Sequence, residues 1–297
     1  MKRLKIKTEG YGYFFIAPYF ITFLVLQLYP ILYTFFISFT KWDGMTKMTF
    51  VGLENYNRLI RDDVFYKTIG NTWIIWIANV IPQMVLAVLL AVVLNYKKIK
   101  GSDFFKSIFY LPNLVTATSI GVLFSVILDW QTGSLNRILI AIGILKQPVN
   151  WLNSPFYTRG TTSLIQWWMW FGYSTIIFDA GIKAISNDIY EAAIVDGANR
   201  RQTFWKITLP LLRPTVLYST ITSLIGGMQI FDIPMTLTDG LGNPQQSILT
   251  MVLYLYNTSF KRNNYGYGAA ISYGLFVIIL IASIILFKFI NRKSLYD

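Results

Sequence analysis

Six stretches of this 297-residue chain run for roughly twenty residues or more with few or no charged side chains, at about the length a helix needs to cross the hydrocarbon core of a bilayer. They lie near Tyr11–Phe39, Thr72–Leu94, Ser107–Leu128, Leu164–Ile182, Thr215–Met235 and Ala269–Phe289. The fold class expected is therefore all-α: a polytopic membrane protein with six transmembrane helices, forming one transmembrane domain over residues 1–297. Composition agrees. Hydrophobic residues make up 54% of the chain and charged residues 13%, against about 25% charged in an ordinary soluble domain. Pro18 and Pro30 interrupt the overlong first stretch and predict a kink there. The fourth and fifth stretches are the most polar, with Gln166, Asp179, Gln229 and Asp232.

The chain has no cysteine and no histidine. That excludes disulfide frameworks, Cys/His zinc sites, and every nucleophile that relies on a histidine base. A membrane enzyme would have to work with carboxylates, and no pair at useful spacing lies within the spans. The net charge is +12, and its placement identifies it as a topology signal. Sixteen of the 26 basic residues fall on one side: Lys2, Arg3, Lys5 and Lys7; Lys97, Lys98, Lys100 and Lys106; Lys183, Arg200, Arg201, Lys206 and Arg213; and Lys288, Arg292 and Lys293. The positive-inside rule makes that side cytoplasmic, with both termini on it. Membrane lipid, and no nucleic acid, is the partner this charge implies. The first apolar run is too long for a cleavable signal peptide.

The cytoplasmic segment 186–214 reads as more than a loop. Asp188 with Glu191, and Asn199 with Gln202, both have the spacing of a helix capping box. Gly197 lies between them, where a first helix ends in a left-handed residue. A short helix, a sharp turn and a second helix are expected, with Pro210 and Pro214 resetting the backbone before the fifth span. Ala192 and Ala193 leave a shallow surface that another protein can approach closely. The alternative is an amphipathic connector with Phe204, Trp205 and Ile207 dipped into the membrane surface. Both readings stand at this point.

Glu191-Ala192-Ala193, followed after three residues by Gly197 and then by Ile207-Thr208-Leu209-Pro210, resembles the EAA motif of ABC-importer permeases. With Asp196, Ala198, Phe204 and Pro214 it resembles the sugar-permease branch, similar to the maltose and glycerol-3-phosphate importer permeases. Phe50–Tyr56, Phe104–Pro112, Gly133–Asn136 and Gly266–Ala270 are similar to that branch as well. Ser186 stands where the family often has proline, and its hydroxyl can cap a helix instead. The resemblance implies a type I ABC-importer permease fold. It also implies a second permease subunit, two ATP-binding cassette subunits and an extracellular sugar-binding protein, in a bacterial or archaeal cell membrane. It gives Glu191, Ala192, Ala193, Asp196, Gly197, Ala198, Phe204, Ile207 and Pro210 a role in coupling to the ATPase. The chain has no G-x-x-x-x-G-K-[ST] run, so ATP and Mg are expected in the partner subunits, and no cofactor and no metal in this chain.

A sugar path needs hydrogen-bonding groups and flat aromatic faces inside the bundle. Gln166, Met169, Trp170 and Tyr173 share one helical face, as do Ser223, Gly226 and Gly227. These seven are the substrate-path candidates. Helix packing through small residues accounts equally well for the glycines, and an interfacial belt for Trp167, Trp168 and Trp170. Asn71, Trp73 and Trp76 also read as belt. Asp232, near the end of the fifth span, can hold a sugar hydroxyl, face the binding protein or sit at a solvated helix end. An ion- or proton-coupled carrier is the competing function, with Asp179 and Asp232 as its ionisable candidates.

Overall fold

The computed structural model describes residues 11–96 and 101–291. Of the basic residues used above for topology, Lys2, Arg3, Lys5, Lys7, Lys97, Lys98, Lys100, Arg292 and Lys293 lie outside the described residues. The chain divides into two compact units, one built from residues up to Asp62 together with Leu255–Gly274, the other from Asp63–Tyr254 and the residues from Leu275 onward.

In the first unit, α1 (Tyr11–Phe23) and α2 (Tyr29–Ile37) are joined by a widened π turn over Leu24–Leu28. Pro30 explains the widening. Proline has no N–H to give the helix, and its ring pushes against the carbonyl four residues back. The strain is absorbed by an i→i−5 bond from Tyr29 N to Leu24 O. The kink expected at Pro18 and Pro30 thus takes the form of a π turn before the second proline. An antiparallel ribbon follows, β1 (Thr40–Lys41) on β2 (Thr49–Phe50), with Thr40 opposite Phe50. This small sheet was not expected. It is fastened to α3 (Glu54–Ile60) by Asn55, whose Nδ2 donates to Ser38 O at 2.9 Å and Thr40 O at 2.8 Å.

The second unit is built around two long helices. Helix α4 (Asp63–Tyr96, 34 residues) packs along α8 (Pro155–Lys183, 29 residues). Between them in sequence lie α5 (Ser102–Leu114), α6 (Ala117–Ile127) and α7 (Ser134–Ala141). After α8 come α9 (Asn187–Val195), α10 (Arg200–Thr203), a π turn over Phe204–Thr208, α11 (Leu209–Leu211), α12 (Arg213–Met228), α13 (Asp232–Leu237) and α14 (Met251–Tyr256). A third π turn, Asn257–Lys261, and the first part of α15 (Tyr265–Asn291) belong to the first unit, and α15 from Leu275 onward belongs to the second. Ile75 of α4, Ile165 and Met169 of α8, and Ile233 and Leu237 of α13 pack in one apolar cluster. Ala87 and Ala91 of α4 meet Phe178 and Ile182 of α8 and Leu212 in another. Close approach depends on small residues: a Cβ on Gly172 of α8 would collide with the Phe109 backbone of α5.

Two sequence expectations need correction, and the span count depends on the measure used. The third span was expected to run unbroken over 107–128. Instead α5 and α6 meet at 88°. Pro112 withdraws a helix N–H near the end of α5, Val115 and Thr116 are extended, and Thr116 accepts from Ser119 N to start α6 afresh. By length and hydropathy alone, four of the described helices are long and apolar enough to cross a membrane, Tyr13–Ile37, Asp63–Asn95, Arg213–Leu237 and Tyr265–Asn291, or five if the bent pair counts as one span. Helix α8, expected as the fourth span, is long enough at about 44 Å and is not among these four; it carries Gln166 and Asp179 and buries the polar Thr158, Thr161, Thr162, Ser163, Ser174 and Thr175. Finally, of the two residues able to cap α9, Ser186 and Asp188, the cap is Ser186, so the expected Asp188–Glu191 box does not form. The Ser186 side chain accepts from Asp188 N, and Asp188 sits in the first turn.

Candidate functional site

A cavity of about 360 Å³ opens in the second unit between α4, α8, α12 and the start of α13. All seven substrate-path candidates, Gln166, Met169, Trp170, Tyr173, Ser223, Gly226 and Gly227, line it. The helical face read from the spacing of Gln166 to Tyr173 brings Trp170 and Tyr173 into an edge-to-face pair, centroids 5.8 Å apart. The two glycines have different surroundings. A Cβ on Gly227 would strike the Trp76 indole, so this glycine permits the close contact of α12 with α4, whereas nothing stands within 4 Å of a Cβ built on Gly226. Packing and cavity lining, which were alternatives in the sequence, are divided between neighbouring residues.

Other wall residues escaped the sequence reading. Asn79 and Gln83 of α4, Ser174 of α8, and Ser219 and Thr222 of α12 also line the cavity. Gln83 Nε2 donates to Ser174 Oγ at 2.7 Å. Among the described residues, Asn79 Oδ1, Gln83 Oε1 and Ser219 Oγ are buried without a hydrogen-bond partner. A carboxamide pair at i and i+4 within the apolar stretch Trp73–Leu94 was the available signal. Asp232 is a wall residue, and its Oδ1 accepts from Thr118 Oγ1 at 2.9 Å. Asn71 and Trp76 do not form a belt: both are buried. Asn71 bonds the carbonyls of Gln246 and Leu249 and accepts from Arg159, while Trp76 Nε1 donates to Ser223 Oγ at 3.3 Å. Trp168 packs edge-on to Phe124 and Trp167 stacks on Phe171, so of the three only Trp170 reaches the cavity.

The segment 186–214 forms a helix, a left-handed turn and a second helix. Gly197 has φ +74°, and the bonds Gly197 N→Ile194 O and Ala198 N→Ala193 O close α9 in a Schellman turn. Asn199 and Gln202 form a reciprocal capping box on α10, at 2.9 and 2.8 Å. Leu209 N bonds Phe204 O, making a π turn one residue before Pro210, the same device as at Pro30. Tyr190 hydroxyl meets Thr208 Oγ1 at 3.3 Å and ties α9 to that turn. Glu191, Ala192, Asp196 and Gly197 are exposed, Ala193 is buried, and Ala198, Phe204, Ile207 and Pro210 are half-buried. Ile194 and Val195 are 72% and 86% exposed, an apolar tip on α9 that the sequence reading did not single out. Trp205 is also exposed.

Comparison with known proteins gives these two regions a family. The chain is 35% identical to the lactose transport system permease protein of Rhizobium radiobacter, covering 93% of this chain and 92% of the relative. It is 36% identical to the arabinooligosaccharides transport system permease protein of Bacillus subtilis, covering 93% and 87%. In fold it is similar to a chain of a bacterial ABC transporter involved in the import of the acidic polysaccharide alginate, with a TM-score of 0.83, 24% identity, and 99% of this chain and 100% of that chain covered. The model of the binding-protein-dependent transport system inner membrane component matches residues 70–295, from the first turns of α4 through the cavity walls and the segment 186–214 to the end of α15, and the chain belongs to that family.

Proposed function

We propose that this chain is the permease subunit of an ATP-driven, binding-protein-dependent carbohydrate importer, with an oligosaccharide as its cargo. It forms half of the translocation pathway beside a second permease subunit. Two ATP-binding cassette subunits hydrolyse ATP with Mg and dock on α9, and an extracellular sugar-binding protein delivers the cargo. The chain itself binds no cofactor and catalyses no reaction. It sits in the cell membrane of a bacterium or archaeon, with both termini cytoplasmic.

The observation that carries this reading is the cavity wall. Carboxamides and hydroxyls (Asn79, Gln83, Gln166, Ser219, Ser223) alternate with the Trp170–Tyr173 pair, and acceptors are in surplus. A sugar brings hydroxyl donors to such acceptors and C–H faces to such rings. The names of the lactose and arabinooligosaccharide relatives support the same cargo class. On the cytoplasmic side, the exposed Glu191, Ala192 and apolar tip of α9 suit insertion into a groove of a partner. The carrier reading loses its candidates: Asp179 is paired with two lysines, and Asp232 is held by Thr118.

The test uses the complex reconstituted in proteoliposomes with the binding protein. ATPase activity is expected only in the complex and is stimulated by loaded binding protein. Glu191→Lys or Gly197→Asp abolishes uptake while the affinity for the binding protein stays intact. Normal uptake in both variants would sink the coupling assignment, and uptake by the chain alone, driven by a proton gradient, would establish the carrier.

A further inference from the structure

One buried charge cluster takes no part in the cavity or the α9 surface. Asp179, one turn before the end of α8, receives Lys106 Nζ of α5 and Lys183 Nζ of α8 on Oδ2, both at 2.9 Å. Its Oδ1 accepts from Asn95 Nδ2 of α4 at 2.7 Å. Lys106 reaches Asp103 as well, at 3.2 Å. The side chains of Asp179 and Lys106 are 8% and 11% exposed, whereas those of Lys183 and Asp103 are 55% and 93% exposed. A single carboxylate therefore joins the ends of three helices, with its central ion pair out of water.

The position of this cluster matters. Below it, α8 ends at Lys183 and the chain reaches the cap of α9 at Ser186 within three residues. Above it, α4 and α8 supply Asn79, Gln83, Gln166, Trp170 and Tyr173 to the cavity. Sliding one helix past another at this level would strand a buried charge, which is far more costly than sliding apolar surfaces. Apolar contacts are non-directional and can slip by a rotamer. Three directed bonds to one carboxylate fix both register and rotation.

We infer that Asp179, with Lys106 and Asn95, is a positioning joint that makes α4, α5 and α8 move as one body, so that displacement of α9 reaches the cavity wall. The inference rests on the reading of α9 as the ATPase-docking helix. Loss of the joint leaves the ATPase turning over while less of its motion arrives at the cavity.

The measurement is the number of ATP molecules hydrolysed per sugar imported by the reconstituted full complex. The double variant Lys106→Met/Asp179→Leu removes both buried charges and keeps apolar volume in their place, a replacement that proteins commonly tolerate. It is expected to assemble and to hydrolyse ATP within about twofold of the parent. Its ATP-per-sugar ratio rises at least about threefold, with KM for the loaded binding protein unchanged. Lys106→Arg keeps the ratio of the parent. An assembled double variant with the parental ratio overturns the joint, and so does failure of the double variant to assemble, which would make the cluster purely structural. Glu191→Lys is run alongside. If it leaves uptake intact, the docking role of α9 has failed. If it abolishes uptake while the double variant keeps the parental ratio, only the joint has failed.

Discussion

Single residues in this chain act through geometry that their identity only hints at. Asp43 sits at the tip of the ribbon with Oδ1 accepting from Thr46 N at 2.7 Å, Thr46 Oγ1 at 2.8 Å and Met45 N at 3.0 Å. Those bonds, the Thr46 N–H first, lower its pKa from 3.8 to about 2. A folded pKa below the unfolded one means that the carboxylate supports the turn fully above the ordinary value and loses that support as pH falls towards 2. A carboxyl-carbon titration is expected to give a midpoint near the lowered value; a midpoint at 3.8 would mean that the turn does not form in solution. The paired glycines allow a second residue-scale prediction. Gly227→Ala drives a methyl into Trp76 and costs about 1–3 kcal/mol in thermal unfolding of the purified protein. Gly226→Ala meets open space, leaves stability within about 0.5 kcal/mol, and shifts the KM for uptake instead. Equal destabilisation by both would contradict the different surroundings assigned to them. Asn55 and Asn136 show why the motif stretches carry asparagine. Asn136 bonds Trp130 O, Val149 N and O, and Trp151 Nε1, and so staples the whole loop between α6 and α8.

At the scale of elements, starts and stops were the most readable features. Gly197 and the Asn199–Gln202 box stand where spacing put them, because capping is a local contest between side chain and backbone that distant contacts seldom overrule. Ser186, three residues after the end of α8, caps α9 by accepting from Asp188 N, which places Asp188 in the first turn. Asn199→Ala removes the bond to Gln202 N and costs about 1 kcal/mol. Hydrogen exchange at the Gln202 amide is expected to speed up about fivefold, and no change there would show that the box contributes nothing to the ordering of α10. The π turns before Tyr29-Pro30 and Leu209-Pro210 follow one rule: the helix widens by one residue just ahead of the proline. Prolines were visible in the sequence, but whether each kinks, widens or breaks its helix was not. At Pro112 the result is an 88° bend, because Thr116 supplies a new cap four residues on.

At the scale of the whole molecule, the absence of cysteine makes the topology directly testable. Thr46→Cys, in the ribbon turn, is expected to react with a membrane-impermeant maleimide in intact cells, and Asp188→Cys, in α9, only after permeabilisation. The reverse pattern would invert the orientation taken from the basic residues. The sequence by itself determined that this is an all-α membrane chain and where most of its helices lie, and it marked Gly197 and the Asn199–Gln202 box as the turn and the helix start within residues 186–214. Those properties follow from hydropathy summed over some twenty residues and from contacts no more than five residues apart. It also named one face of the cavity, since Gln166, Met169, Trp170 and Tyr173 recur with the period of a helix. Only the tertiary structure decided that Asn79, Gln83 and Ser219 complete the cavity wall, that Gly227 packs while Gly226 stands open, and that Asp179 binds Lys106 and Asn95. Each of those depends on which helix lies opposite, 50 to 150 residues away along the chain, and side-chain periodicity shows which residues share a face but not what that face will meet.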